Sequence, residues 1–340
     1  MPSLTYYFSQ NDQNRLNTSD MLRSHCETHN LIFIDICIED QPEIKDKYEG
    51  KTPAVCIGPY VLYNPFTETD LNVATKSALM RHERLIEEGD KKYQERLKNG
   101  LSITRLDRFS YFFSKYYVLI FSLLLSLFIA IPFLAPVLEK ENHPAAANVI
   151  YKAYRIICHQ LAFRSFYLYG EQPFYPRELA HLDGYLTYED ITGSDVIDLE
   201  YARVFFGDET YGFKVAICQR DVAIYGSMAL FGLIFQLSGK RIKKLKWYWW
   251  FVFALIPIGI DGVSQIPSLS TGWPAWMPIR ESTPFLRTLT GTLFGGFTGW
   301  YMFPLMEESM KETRITLHRK FKIIEKIKKE RKPIAHATNQ

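Results

Sequence analysis

Residues 116–138, "YYVLIFSLLLSLFIAIPFLAPVL", contain no charged side chain, and no other stretch limits the fold as strongly. As a helix rising about 1.5 Å per residue, this segment can cross a hydrocarbon core of roughly 30 Å. Three further apolar blocks, at about 222–237, 247–267 and 285–306, predict an all-α polytopic membrane unit with four transmembrane helices over 116–306. The segment 139–221 forms an insert on one side of it. Residues 1–115, in contrast, are polar with scattered charge.

Lysine and arginine set the expected orientation. The loop "GKRIKKLK" (239–246) and the tail "HRKFKIIEKIKKERK" (318–332) are both strongly basic, and the positive-inside rule puts them in the cytoplasm. Four spans then place both termini there, which agrees with "KKYQERLKNG" (91–100) and "RLDR" (105–108) ahead of the first span. The insert faces outward, and its acidic run "YEDITGSDVIDLEY" fits that side. The expected location is the inner (cytoplasmic) membrane, with the lipid bilayer as the first partner. A formal net charge of +3 is too small to suggest nucleic-acid binding. The start "MPSLTYYFSQND" lacks the basic and apolar regions of a cleavable signal. In the tail, 307–340, apolar residues from Ile315 to Ile327 alternate with basic ones, as in a helix lying on an anionic inner surface.

The N-terminal region reads as an α/β unit over 1–80, followed by a helical linker over 81–115. Strands are expected at "LTYYFS", "LIFIDI", "PAVCI" and "YVLYN", with helices near 18–28, through "EIKDKYEG" and over "ETDLNVATKSALMRH". The order βαβαββα resembles a thioredoxin or glutaredoxin fold, and Pro53 in "KTPAV" matches the cis-proline position of that family. Its redox-active members carry cysteine in the loop after the first strand, where a helix N-terminus lowers the thiol pKa. Here that loop reads "QNDQN". The resemblance therefore implies a redox-inactive copy, suited to docking a cytoplasmic protein, with Cys26, Cys37 and Cys56 as reduced thiols.

Reactive side chains gather at the outward ends of the spans. Cys158, His159, Gln160 and Arg164 follow the first span, and Cys218, Arg220 and Asp221 open the second. Asp261 lies about 21 Å along the third from Trp247 at 1.5 Å per residue. Arg280, Glu281 and Arg287 introduce the fourth. Ionisable groups within a bilayer are expensive and usually paired or functional. Asp261 is accordingly a candidate catalytic group, or a structural partner of Arg280 or Arg287. Cys218 and Asp221, three apart, share one helical face, so Asp221 can chelate as well as cap. Cys158 and Cys218, the two outward cysteines, can form a disulfide. Alternatively Cys158 or His159, with Cys218 and Asp221, offers the mixed sulfur, nitrogen and oxygen ligands that zinc or iron accepts.

The motifs "CHQLAFRSF", "CQRDVAIYG", "IPIGIDGVSQ" and "RESTPFLRTLTGTLFG" together resemble an uncharacterised family of bacterial and archaeal predicted membrane proteins, over about 150–300. Its pattern runs Cys-His-Gln, Arg-Ser, Cys-x-Arg-Cys, an intramembrane aspartate and an arginine-rich entry to the last span. Asp221 replaces the second cysteine of Cys-x-Arg-Cys, and an acidic, aromatic insert (about 175–211) separates the first two motifs. The resemblance implies architecture and site location, with no reaction attached. Two functions stay open. One is a metal- or thiol-dependent membrane enzyme using Cys158, His159, Cys218 and Asp261, with His159 as general acid/base and Arg164, Arg220, Arg280 and Arg287 holding an anionic group or pairing structurally. The other is a non-catalytic subunit or scaffold bound to further membrane subunits.

Overall fold

The computed structural model describes residues 3–100, 102–194, 198–269, 274, 276 and 279–337, and the side chains as far as 329. The chain divides into two compact units, 1–115 with 309–340, and 116–308. Residues 195–197 of the acidic insert lie outside the described residues.

In the first unit the elements follow the expected order. They are β1 (Ser3–Phe8), α1 (Arg15–Thr28), β2 (Ile32–Cys37), α2 (Pro42–Tyr48), β3 (Ala54–Ile57), β4 (Tyr60–Tyr63) and α3 (Glu68–Glu87). A further helix, α4 (Lys91–Gly100), follows. The strands form a mixed sheet in the order β2-β1-β3-β4, with β1 parallel to β2 and the other neighbours antiparallel. The Thr52–Pro53 and Asn64–Pro65 peptide bonds are cis. Strand alternation sends Leu4 and Tyr6 to one face, where they meet Leu22 and Cys26 of α1 and Leu71 of α3. Tyr7 points to the other face, against Ile44 and Tyr48 of α2.

That second face is completed by the C-terminal part of the chain, where Ile315 is buried in the same cluster and Ile323 packs against it. The tail's apolar stripe, expected to rest on a membrane surface, instead covers a sheet. Its basic residues also have protein partners: Arg314 pairs with Glu43 at 2.7 Å, Lys320 with Asp107 at 2.7 Å and Lys311 with Asp46 at 3.0 Å. A sheet with two apolar faces needs helices on both sides, and α2 alone is only seven residues long.

The second unit is mainly helical. Helix α5 (Arg105–Lys140) enters it, and α6 (Pro144–Tyr154) follows. A three-stranded sheet in the order β5-β7-β6 is built from β5 (Ser165–Leu168), β6 (Gly207–Asp208) and β7 (Gly212–Cys218), with α7 (Tyr188–Thr192) and α8 (Leu199–Val204) in the intervening insert. Strand β7 runs directly into α9 (Gln219–Leu237). Next come α10 (Trp247–Trp250), a π-helical turn Phe251–Leu255 and α11 (Ile256–Val263). Pro257 lacks an amide hydrogen and would crowd the carbonyl four residues back, so the helix widens just before it. The last helix, α12, runs over Pro284–Ala337.

Among the described residues two helical stretches, Arg105–Lys140 and Trp247–Ser268, are long and apolar enough to cross a membrane. Only 22% and 17% of their most apolar windows are buried, whereas a core helix of a soluble protein would hide most of that surface. Helices α9 and α12, expected as the second and fourth spans, do not meet that standard of apolarity. The first opens with Gln219, Arg220 and Asp221, and the apolar part of the second is rich in glycine and threonine.

Close packing between α9 and α12 rests on Gly291, Gly295 and Gly299, which recur every fourth residue along α12. A methyl group added at Gly295 would overlap the Ile224 carbonyl oxygen and Ser227 Oγ, and one at Gly291 would come within 2.6 Å of the Arg220 carbonyl oxygen. Elsewhere Tyr117 donates to the Phe303 carbonyl at 3.0 Å and Trp250 Nε1 to Thr298 Oγ1 at 3.0 Å, joining α5 and α10 to α12.

Candidate functional site

Two chain segments meet at the junction of β7 and α9. The first leaves α6 through a tight turn, in which the amides of Ile157 and Cys158 donate to the Tyr154 carbonyl at 3.0 and 2.9 Å. Gln160 then takes a left-handed conformation, φ 53°, and its side chain is fully buried. Its amide nitrogen donates to the carbonyls of Tyr151 at 3.0 Å and Ala216 at 2.7 Å, which staples this turn to β7. Lys214, also fully buried, donates to the carbonyls of Gln160 at 2.9 Å and Arg203 at 2.8 Å. Burial pushes its ammonium pKa down to about 7.

Cys218 is the last residue of β7 and the N-cap of α9. Its backbone amide donates to Cys158 Sγ at 3.3 Å, and its own thiol donates to Asp221 Oδ2 at 3.2 Å. The two sulfurs and an Asp221 carboxylate oxygen all lie within 4.8 Å of one another. Both cysteines are free thiols in the structure. The hydrogen bond with Cys218 and then burial hold the Cys158 thiol far above its usual pKa, so without a cation it stays protonated. His159, expected beside these groups, is exposed and outside the cluster.

Adjacent residues on a helix point roughly 100° apart, so Arg220 faces a different set of partners from Asp221. Asp261, 3% exposed, is ion-paired with Arg220, lies 3.4 Å from Arg280 and accepts from Ser282 Oγ at 3.1 Å. A second carboxylate, Glu281, is held by Arg164 through two hydrogen bonds of 2.9 and 3.1 Å and is also paired with Arg287. Arg177 approaches it at 3.9 Å. Gln265 joins the two sets: it donates to the Asp261 carbonyl and accepts from Arg287 at 2.8 Å.

The candidate residues thus separate into two groups. Cys158, Cys218 and Asp221 form a ligand-type cluster, whereas Asp261 and the arginines Arg164, Arg220, Arg280 and Arg287 form an ion-pair lattice. Asp261 already has three side-chain partners, the pattern of a helix-locking carboxylate. Sequence reasoning missed Arg177, an arginine inside the acidic insert that donates to the Ser268 carbonyl at 3.0 Å. It also gave Glu281 no role, although three arginines converge on that residue.

One family match begins downstream of Cys158. Residues 202–301 match a family described as "Predicted membrane protein (DUF2085)". This stretch includes Cys218, Asp221, Asp261 and Arg287 but not Cys158. The chain is 25% identical over 200 residues to an uncharacterised protein, MJ1492, of Methanocaldococcus jannaschii, covering 57% of this chain and 94% of the relative. No solved structure matches the chain.

In the first unit the thiols are quiet. Burial pushes Cys26 up to about 12 and raises Cys56, and burial followed by the contact with Glu39 raises Cys37. None lies in the loop after β1, where a redox cysteine would gain from the N-terminus of α1.

Proposed function

We propose that this chain is an integral membrane protein with four spans whose outward face carries a metal site of Cys158, Cys218 and Asp221, serving a metal-dependent membrane enzyme. The convergence of these three donors within 4.8 Å carries the reading. On a tetrahedral zinc with bonds of about 2.3 Å, two sulfurs sit roughly 3.8 Å apart, so donors within 4.8 Å of one another close on the ion with a contraction of at most about 1 Å. Two thiolates and a carboxylate suit zinc or iron and leave a fourth position open, the arrangement of catalytic rather than closed structural sites. A cation held there would act as a Lewis acid on an oxygen in that position. The protein's share is to hold Cys158 rigidly through Gln160 and to shield the donors behind Val215 and Ile217.

Four features support the membrane arrangement. They are the two apolar stretches of low burial, the glycine-mediated contact of α9 with α12, the basic loop 239–246 and the description of the matched family. The termini would be cytoplasmic. The first unit reads as a thioredoxin-like module without redox cysteines, on the strength of its element order and mixed sheet, and would dock a cytoplasmic protein.

A second reading is favoured by the ion-pair lattice. Asp261 and Glu281 are so fully partnered that they serve structure rather than chemistry, as expected of a scaffold or subunit in a larger membrane assembly. A mercurial thiol reagent separates the two. It should release one metal ion per chain from detergent-purified protein if the cluster is a metal site, and none if the chain is a scaffold held by hydrogen bonds alone.

A further inference from the structure

An apolar groove of about 340 Å³ lies between α5 and α9, lined by Phe121, Leu124, Leu125, Phe128, Ile157 and Tyr225. Its volume falls at the small end of ligand sites, enough for one hydrocarbon chain. The groove shares its wall with the metal-type cluster: Phe128, Val222 and Tyr225 pack against the group that contains Cys158, and Cys218 belongs to the same packing. Phe128 and Tyr225 meet edge to face with centroids 4.8 Å apart, forming the floor of one side. Tyr225 stands one helical turn from Asp221, on the same face of α9. The outer lip is formed by α5, a helix apolar enough to span a membrane, and Leu124 is 55% exposed there. A hydrocarbon chain covers such a lip without cost.

We infer that this groove holds the chain of a single-chain lipid and directs an uncharged oxygen headgroup, a hydroxyl or carbonyl, to the cluster of Cys158, Cys218 and Asp221. The inference rests on the metal-site reading and supplies its substrate class. Charge selects the head. Two thiolates and a carboxylate around a divalent cation leave one negative charge, so a further anion is repelled. Without the cation Asp221 repels it as well. Arg220, the basic residue next to Asp221 in sequence, is taken by Asp261. A neutral oxygen can occupy a fourth ligand position without that repulsion.

The test uses the full chain in detergent, with metal content measured first on the same sample. The probe is a long-chain alcohol carrying a photoactivatable diazirine on its chain, with labelled peptides mapped by mass spectrometry. Saturable labelling confined to segments 121–128 and 222–228 is expected, with unlabelled alcohol competing at least tenfold better than the carboxylate of equal length. Leu124→Trp, which fills the exposed lip without touching the cluster, should cut labelling at least fivefold and keep the metal content. After chelation, the alcohol should also slow alkylation of Cys218. Non-saturable labelling along all of α5, unchanged in Leu124→Trp, would mean surrounding lipid only and overturn the proposal. Equal competition by the carboxylate would overturn the choice of headgroup. Absence of metal with groove labelling and Cys218 protection intact would sink the metal reading and leave the lipid groove standing.

Discussion

The backbone amide of Cys218 points at the sulfur of Cys158 from 3.3 Å, across sixty residues of sequence. The two thiols are brought together by the buried Gln160 staple and a helix start, not by a covalent link. Asp221 stands one turn into the same helix and accepts from the Cys218 thiol.

If these three groups bind a cation, replacement of Asp221 should depend on ligand chemistry. Asp221→Cys keeps a donor of suitable type and should retain metal. Asp221→Ala should weaken binding by at least the roughly 10- to 100-fold that loss of even an outer partner costs. Competition with a calibrated chelator measures the difference, and equal affinities would remove Asp221 from the site.

Asp261 should matter more for stability than for chemistry. Asp261→Asn leaves Arg220 and Arg280 without their carboxylate, a loss of about 3–5 kcal/mol for a buried pair. The double variant Asp261→Asn, Arg220→Met should recover part of it. Thermal unfolding in detergent reads both, and a single variant as stable as the parent would contradict the lattice.

Helix approach gives a third outcome. Gly295→Ala forces a methyl into the Ile224 carbonyl and should destabilise by about 1–3 kcal/mol or more, while Gly296→Ala, 4.0 Å from Ser227 Cβ, should be nearly neutral. Equal effects in a melting experiment would argue against the contact.

Lys214 makes the insert between α5 and α9 sensitive to pH. Its pKa falls from 10.5 to about 7 on burial, so between these values the unfolded insert holds a proton that the folded one does not. Stability therefore rises with pH across that window and is flat below it. Amide exchange over 200–218, corrected for its intrinsic pH dependence, should slow from pH 7 to pH 9, and Lys214→Met should abolish the slope. A slope unchanged in Lys214→Met would assign it elsewhere.

The sequence made several elements legible for simple reasons. The uncharged run 116–138 and the alternating strands of the first unit declare themselves through one period each. Cys218 and Asp221 could be joined because three residues on a helix share a face. The approach of Cys158 depends instead on a buried glutamine, Gln160, whose staple to Ala216 has no periodic signature. Adjacency likewise misled for His159, because its exposed side chain follows a turn that buries the residues on either side. Arg177 reaches Glu281 and the Ser268 carbonyl across a long stretch of chain, and no local pattern announces such contacts. The tail shows a different failure: Ile315 and Ile324 sit on an amphipathic stripe that fits a membrane or a sheet equally well. Only the mixed sheet's uncovered second face decides between them.

The most direct test of the central claim is elemental analysis of the full chain purified in detergent without chelator, beside the Cys218→Ser variant. One zinc or iron ion per chain, lost in Cys218→Ser while the helical content is unchanged, is the predicted result. Metal-free parent protein, with Cys158 and Cys218 titrating freely or appearing only after reduction, would contradict the metal site.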